Sequence, residues 1–470
     1  MTRFGPRAQI ALLAVLAVYF LIWPVWRLPL PIEIAQTEGW NAYHADMALR
    51  AWRELYPPQD TLIVNNYPPL SFFLNGWLQY FFSDALYIGR VLSILATLGV
   101  GALIGRIVLQ LGGGRIAGAI AGLWFIATMT RSFHHYVGAD EPQIVAHLIM
   151  MAALSWFLAR DEQGKSLEAP VLLMVVAGFY KHNILAVPAA VFLSLVLRNG
   201  LTNWPRFWRP LLAGVVAGAV GLAICLAIWG HVFIDNILTP RPQNLMRAVL
   251  GLGRLQFILP ALVLWAIYAW SDRATRVARF TTIYIAFALA LYLLQWTGEA
   301  ILDSAQFDLV IATAIGLGVA YERAWTGAFS RRYGLEAARA VIVVILLVRL
   351  VATTHTESFL LLASPSYRAQ VQQHANAARA EIRNVAAIRG PVACDFKVTC
   401  RFAGKPFSYD DFRVEMMVAI NARQVAADRT GVTRVITEQD LLRQHGLTHY
   451  RNKPESGIVS LQRVLFGRVE

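Results

Sequence analysis

Long, uninterrupted apolar blocks recur along this sequence, and they restrict its fold more than any other feature. Hydrophobic residues make up 57% of the 470 residues and charged residues only 15%, whereas soluble domains carry about a quarter charged residues. Many of the blocks approach the length that a helix needs to cross a hydrocarbon layer of about 30 Å. The sequence therefore predicts an all-α, polytopic membrane protein.

We place eleven membrane-spanning helices in these blocks. The first block follows Arg3 and Arg7, but residues 23–27 offer no small-residue cleavage site, so we interpret it as a retained anchor and not a signal peptide. The predicted spans cover residues 8–27, 85–105, 115–133, 142–159, 169–180, 183–197, 210–229, 255–270, 280–296, 307–321 and 338–354.

The charges of the loops set the predicted orientation. The formal net charge is +13, and the positive residues concentrate in short loops between apolar blocks, as expected for cytoplasmic loops of a membrane protein. This distribution argues against a nucleic-acid partner and for contact with anionic membrane lipid. With a cytoplasmic N-terminus, the inner loops carry Arg106 and Arg115; Arg160 and Lys165; Arg198, Arg206 and Arg209; Arg273, Arg276 and Arg279; and Arg323, Arg331 and Arg332.

One apolar block, residues 171–197, has to be divided to keep this pattern. A single helix there would move every later basic loop to the outer face. We therefore predict two short spans that meet at Lys181-His182-Asn183 on the outer side. Helices this short cross only when they are tilted, bundled or in a thinned bilayer.

The composition changes after about residue 354. The rest of the chain has mixed charge and no spanning block, and an odd number of spans places it outside, in the periplasm of a bacterium. We predict a transmembrane domain over residues 1–355, with a first outer loop at 28–84, and a small α/β periplasmic domain over 356–470. Cys394 and Cys400 could pair in an oxidising compartment; two free buried thiols are the alternative.

The first outer loop carries the most informative motif. It contains Thr37-Glu38-Gly39-Trp40-Asn41-Ala42-Tyr43-His44, then Met47, and later Tyr67-Pro68-Pro69-Leu70. This combination resembles the integral-membrane glycosyltransferases of the C superfamily (GT-C), which include protein O-mannosyltransferases and the lipid A aminoarabinose transferases. In those families an Asp-Glu pair opens the loop, a Tyr and a Met follow, and Pro-Pro-Leu closes it.

The resemblance implies a GT-C-like fold and transfer of a sugar from a polyprenyl-phosphate carrier to a glycan, lipid or protein acceptor. Two positions depart from the pattern. The first acid of the pair is Thr37 here, and Tyr67 stands where the aminoarabinose enzymes have a lysine. The cation that contacts the phosphate would therefore come from another part of the chain.

Transfer needs a base for the acceptor hydroxyl and stabilisation of the departing phosphate. We predict Glu38 as the base, although an acid at a helix start is also favoured by the helix dipole. Asp140 is predicted as the second catalytic acid, with the alternative that it is only a helix N-cap before Pro142. Lys181 is predicted to meet the phosphate, unless it snorkels to the interface. The predicted substrate-binding residues are Trp40, Tyr43, His44, Tyr67, Glu141, Lys181, His182 and Arg241.

A divalent metal is a further possibility. His134 and His135 could hold one together with Glu38 and His44, but no tight ligand spacing supports this, so no metal ligand is assigned. Two other functions remain open at this point. One is a transporter or lipid flippase, although no inverted repeat is visible. The other is a catalytically inactive partner in envelope-glycan assembly, suggested by the missing acid and lysine.

Overall fold

Helices account for most of the chain, as the apolar blocks predict. The computed structural model describes residues 5–82, 84–323, 334–352, 356–426 and 435–452. The helices are α1 Pro6–Trp26, α2 Glu38–Arg50, α3 Leu70–Leu78, α4 Ala85–Gln110, α5 Arg115–Ser132, α6 Pro142–Glu162, α7 Glu168–Tyr180, α8 Ala186–Asn199, α9 Trp208–Trp229, α10 His231–Ile237, α11 Leu245–Gly253, α12 Leu259–Ser271, α13 Arg276–Trp296, α14 Phe307–Arg323, α15 Leu335–Val351, α16 Glu357–Ala363, α17 Pro365–Ala387, α18 Lys397–Phe402, α19 Asp411–Ala426 and α20 Glu438–Gln444. Short 3-10 helices lie at Trp52–Glu54, Arg254–Phe257 and Asp303–Gln306, and two strands, β1 Val392–Cys394 and β2 Thr448–Tyr450, pair in parallel.

Each of the eleven predicted spans coincides with a helix. Among the described residues, six helices are long and apolar enough to cross a membrane, and a seventh crossing follows if the pair Leu245–Phe257 and Leu259–Ser271, bent by 89°, counts as one. The chain is therefore a multi-pass helical membrane protein. The count of eleven stays a prediction, because α7 and α8 have only 13 and 14 residues. Residues 353–354 of the last predicted span, and Arg331 and Arg332, lie outside the described part of the chain.

The predicted division of residues 171–197 is confirmed. Helix α7 ends at Tyr180 and α8 begins at Ala186, with Lys181 in an extended conformation between them. The segment Lys181-His182-Asn183, which we call the apex, is thus a loop between two helices and not the middle of one long helix. Lys181 consequently lies at the end of the bundle that also holds the first long loop.

The basic loops meet at the opposite end of the bundle, which we call the arginine end. Asp161 at the end of α6 accepts hydrogen bonds from Arg198 at 2.6 and 2.7 Å and from Arg276 at 2.6 Å. Arg206 lies 3.8 Å from the same carboxylate. Loops that are distant in sequence but alike in charge therefore share one end, as the charge pattern predicts.

The C-terminal segment covers the other end, which we call the capped end. Val398 of α18 packs with Ala42 and Ala45 of α2, and Leu62 of the first long loop packs with Tyr409 and other residues of the segment. Cys394 and Cys400 form a disulfide between β1 and α18. The two-stranded sheet and its helices are the small α/β unit that the sequence predicts, although the domain boundaries stay a prediction and residues 453–470 lie outside the described chain.

Gly39 allows α2 and α18 to approach each other closely. A Cβ atom at Gly39 would lie 2.5 Å from both Lys397 Cβ and the Val398 backbone nitrogen, and backbone cannot move aside as a flexible side chain can. We expect Gly39→Ala to cost about 1–3 kcal/mol of stability, the usual cost of overpacking. Thermal unfolding in detergent measures this loss. Gly178→Ala in α7 is the matched control, because nothing lies within 4 Å of its added Cβ, and its unfolding midpoint should not fall.

Candidate functional site

Three adjoining cavities open at the capped end, and together we call them the cleft. The acid cavity, of about 260 Å³, is lined by Thr37, Trp40, Tyr67, Arg241, Lys397, Asp410 and Asp411 among others. The lysine cavity, of about 270 Å³, shares Tyr67 and Arg241 with it and adds Gln143, Lys181 and His182. The histidine cavity, of about 420 Å³, shares Thr37 with the acid cavity and adds His135, Tyr136 and Asp303. The cleft therefore joins the first long loop, the apex at Lys181 and the C-terminal segment.

Glu38 lies at the start of α2 and is completely buried with Arg90 of α4. The Arg90 guanidinium donates to the two carboxylate oxygens at 2.9 and 2.8 Å. The backbone N–H groups of Ile34 and Asp140 donate to the same oxygens at 2.7 and 2.9 Å. A buried carboxylate that already accepts four hydrogen bonds has no free lone pair for a substrate hydroxyl. The geometry therefore favours a structural role for Glu38, tying α2 to α4, over the predicted role as base.

Asp140 is buried beside this ion pair, in the loop before α6. Its Oδ1 accepts from the Asn75 side chain at 3.1 Å, and an added Cβ on Gly89 would lie 1.9 Å from the same oxygen, so the carboxyl is pressed against α4. Burial, together with the charge of Glu38, raises the pKa of Asp140 well above its usual value. Asp140 lines none of the three cavities. Asp140 packs against α4 outside the cleft, and its catalytic role stays a prediction.

Glu141, and not Asp140, caps α6. Its Oε1 accepts from the Gln143 backbone nitrogen at 3.3 Å, so the alternative that made Asp140 the helix cap is wrong. Its Oε2 accepts from the Thr37 hydroxyl at 3.1 Å. Glu141 thereby joins the first long loop to the start of α6, directly beneath the cleft.

Lys181 is buried where the apex meets the cleft. Its ammonium lies 2.9 Å from the centroid of the Tyr67 ring and 3.7 Å from Glu141 Oε1. Burial lowers the pKa of Lys181 to about 7, although Glu141 acts in the opposite direction. Among the described residues this ammonium has one carboxylate partner, and a second anion would stabilise its charge further. This environment suits a bound phosphate in the lysine cavity, and the contact of Lys181 with phosphate stays a prediction.

Two more of the predicted substrate-binding residues lie at the same place. Arg241 is half-buried, lines both the acid and the lysine cavities, and has its guanidinium 4.6 Å from the centroid of the Phe412 ring. His182 is exposed at the lysine cavity. Lys181 and Arg241 make this part of the cleft electropositive, as expected of a phosphate site. Desolvation, with the charges of Lys181 and Arg241, lowers the pKa of His182 to about 4, so its ring is neutral at neutral pH.

Trp40 and Tyr67 form an aromatic wall of the acid cavity. Their rings pack edge to face with centroids 4.8 Å apart. The Trp40 indole nitrogen donates to the Val64 carbonyl and to Asp410 Oδ2, both at 3.1 Å. Aromatic faces with one polar handle suit the binding of a sugar ring, and the contact of both residues with substrate stays a prediction.

Tyr43 and His44 lie elsewhere. Tyr43 stacks on Phe407 with ring centroids 4.8 Å apart and donates its hydroxyl to the Lys405 carbonyl at 2.9 Å. His44 is completely buried with its ring 4.1 Å from Trp40, and burial lowers its pKa to about 3. Neither side chain lines any of the three cavities. Both act in packing here, in place of the predicted contact with substrate.

The possible metal site, to which no ligand was assigned, gains no support from the described residues. Within the described residues, no group of three His, Cys, Asp or Glu side chains is arranged to hold a metal ion. His135 lines the histidine cavity, but His134 is buried and lies 3.9 Å from Glu357. The histidines and Glu38 therefore do not meet.

Sequence reasoning missed several residues of the site. Lys397, Asp410 and Asp411 line the acid cavity although they lie more than 350 residues after Trp40. Arg90 was missed as the partner of Glu38. A lone arginine inside the apolar block 85–105 was the available signal, since such a charge must be paired.

Comparisons with known proteins agree with this architecture. No protein-family model matches the sequence, and no curated protein matches it significantly. Among solved structures, the chain is similar to ArnT from Cupriavidus metallidurans in the apo state, with a TM-score of 0.51 and 16% identity over 94% of this chain and 85% of that one. ArnT of the same organism bound to undecaprenyl phosphate aligns with a TM-score of 0.48 and 16% identity over 97% of this chain and 91% of that one. Through its likeness to the apo structure, the chain has an ArnT-like fold.

Proposed function

We propose that this protein is a membrane glycosyltransferase that moves a sugar from a polyprenyl-phosphate carrier to an acceptor at the membrane surface. The observation that carries the proposal is the cleft itself. One end of it is cationic, with Lys181 and Arg241, and the other end is acidic and aromatic, with Trp40 and Asp410. A cation-lined pocket beside a carboxylate and an aromatic wall suits a phosphate-linked sugar.

The cationic end is assigned to the carrier phosphate. In the reaction, the bond between the sugar's anomeric carbon and the phosphate oxygen breaks and negative charge grows on the phosphate. A preorganised ammonium and guanidinium stabilise that charge in the transition state. Tyr67 stands where the aminoarabinose enzymes have a lysine, and Lys181 and Arg241 together supply the positive charge in its place. The Lys181 ammonium lies over the Tyr67 ring and is therefore next to this position.

The carrier's apolar chain needs a path from this pocket into the bilayer. Helix α11 follows the Arg241 loop and exposes Leu245, Met246 and Leu250, each more than 60% accessible. Helix α9 is an apolar span of which only 6% is buried inside the protein. Exposed apolar surface of this kind faces lipid, so we place the path of the carrier's apolar chain out of the lysine cavity along α11. Trp77 and Tyr80 near α3 are exposed in the manner of interfacial aromatic belts.

The compartment is proposed from the charges and the disulfide. Arginine-rich loops favour the cytoplasm, which supports an orientation with the arginine end inside and the capped end outside. The Cys394–Cys400 disulfide supports an oxidising compartment for the C-terminal segment. The proposed location is thus the bacterial inner membrane, with a cytoplasmic N-terminus and the C-terminal segment in the periplasm. A glycan, lipid or protein could be the acceptor there.

The alternative of an inactive partner rests on Thr37, which lines the cleft where the resemblance calls for a carboxylate. The test is a transfer assay with the full chain in liposomes and a panel of radiolabelled polyprenyl-phosphate hexoses and pentoses, with envelope lipid and glycan extracts as acceptors. We expect the label to leave at least one carrier, by transfer or by hydrolysis. Folded protein that releases no sugar from any donor would contradict the proposal and favour the inactive partner. Carrier movement across the bilayer without sugar release would favour a flippase.

A further inference from the structure

The acid cavity brings two carboxylates of the C-terminal segment next to Thr37. Asp410 and Asp411 line the same cavity as Thr37. Gln36, the residue before Thr37, donates its side-chain amide to Asp411 Oδ2 at 2.5 Å. Trp40, three residues after Thr37, donates to Asp410 Oδ2 at 3.1 Å. The position that lacks an acid in the first long loop is therefore faced by acids from another part of the chain.

Lys397 organises this pair. Its buried ammonium lies 3.9 Å from Asp410 Oδ1 and hydrogen-bonds to Asp411 Oδ1. Two carboxylates facing one ammonium cannot both be neutralised by it. Burial raises the pKa of Asp410 to about 7, with Asp411 adding to the rise. Burial acts on Asp411 in the same direction, but Lys397 outweighs it and lowers the pKa of Asp411 below its usual value. Asp410 is the member that takes up a proton near neutral pH.

A ligand is indicated independently by Gln143. Its side chain is only 3% exposed and lines the lysine cavity next to the acid cavity. Its carbonyl oxygen Oε1 has no hydrogen-bond partner among the described residues. A buried, unpaired acceptor is costly unless a bound group donates to it. A sugar hydroxyl in the cleft would provide that donor.

We propose that the C-terminal segment supplies the base for the transfer reaction: Asp410 accepts the proton of the acceptor hydroxyl, and Asp411 with Lys397 positions it. The inference rests on the proposed function. The acceptor O–H bond breaks and its proton passes to Asp410. The acceptor oxygen forms a bond to the anomeric carbon, and the bond from that carbon to the phosphate oxygen breaks. Its electron pair leaves with the carrier phosphate beside Lys181 and Arg241, and Asp410 later releases the proton to water.

The geometry also links the two halves of the reaction. Phe412 follows the carboxylate pair directly and lies under the Arg241 guanidinium at 4.6 Å. Arg241, which binds the phosphate, is therefore linked through Phe412 to Asp410, which accepts the acceptor's proton. A single base acting in this way inverts the configuration at the anomeric carbon.

The test compares the wild type, Asp410→Asn and the control Asp395→Asn, an acid of the same segment that pairs with His449 away from the cleft. Two quantities are measured: turnover of the polyprenyl-phosphate sugar panel, and binding of undecaprenyl phosphate in the absence of sugar. We expect Asp410→Asn to lower turnover by about 10²–10⁴-fold, the usual effect of losing a general base. Carrier binding should stay at the wild-type level, and Asp395→Asn should match the wild type in both measurements.

Asp410→Asn with wild-type turnover would overturn the inference while leaving the proposed function intact. Wild-type protein that binds undecaprenyl phosphate but transfers no sugar would remove the proposed function and this inference with it. If Asp410→Asn does not fold, Asp410→Glu keeps a charge beside Lys397 and is judged by the same two measurements. A displaced carboxylate should lower turnover without weakening carrier binding, and wild-type turnover in that variant would again overturn the inference.

Discussion

Replacing Arg90 by methionine is expected to lower the free energy of unfolding by about 3–5 kcal/mol, because it leaves the buried Glu38 carboxylate without its partner. Both side chains are completely buried and joined by two hydrogen bonds. The loss would appear as a lower midpoint of thermal unfolding in detergent. Arg106→Met is the matched control, since Arg106 lies exposed on the same helix and its removal should leave the midpoint near that of the wild type.

The same experiment distinguishes the two roles of Glu38. If Glu38 is structural, Glu38→Gln loses stability, and any loss of turnover follows the loss of folded protein. In the double variant Glu38→Gln/Arg90→Met no charge is left unpaired, so part of the stability lost in Arg90→Met should return. Glu38→Gln that unfolds at the wild-type midpoint but has lost turnover would instead restore Glu38 as the base.

Lys181→Met is expected to reduce turnover by about 10²–10³-fold, the scale of losing one preorganised group that stabilises developing charge. It should also weaken the binding of undecaprenyl phosphate, because Lys181 is a buried cation in the lysine cavity. Calorimetric titration of the carrier and the transfer assay measure the two effects. Lys165→Met, at an exposed lysine of the arginine end, is the control and should behave as the wild type. Unchanged carrier binding in Lys181→Met would place the phosphate elsewhere.

Carrier binding should also depend on pH through Lys181. Its pKa is lowered to about 7 by burial, so the free protein loses this positive charge as the pH rises through that value. Carrier affinity is therefore expected to fall with rising pH, and a bound phosphate, which favours the charged amine, moves the fall to higher pH. In Lys181→Met the affinity should lose this dependence. Affinity that rises with pH in the wild type would contradict the assignment.

Much of the fold follows from local features of the sequence. Apolar block length predicts the helices, and the charges of the loops alone required the break at Lys181-His182-Asn183 that separates α7 from α8. Trp40, Tyr67, Lys181, His182 and Arg241 were predicted as substrate contacts, and they do line one cleft. Apart from Trp40 in the first turn of α2, these residues are polar or aromatic groups at loop positions, where sequence carries a direct signal.

The rest depends on contacts that sequence spacing does not encode. Glu38 was predicted as a base because nothing local shows that Arg90, 52 residues later, takes up its oxygens. Tyr43 and His44 share α2 with Trp40, but the helix turns them away from the cleft. Asp410 and Asp411 reach the cleft only because the C-terminal segment folds back onto α2, which requires the bare backbone of Gly39 against Lys397.

The proposed phosphate site is tested most directly by a cryo-electron microscopy structure of the protein with undecaprenyl phosphate. Phosphate density is expected in the lysine cavity, within hydrogen-bonding distance of the Lys181 ammonium and the Arg241 guanidinium, with the carrier's polyprenyl chain leaving along α11. Phosphate density at the arginine end would contradict it, for example in the cavity of about 310 Å³ lined by Arg198, Arg276 and Arg279.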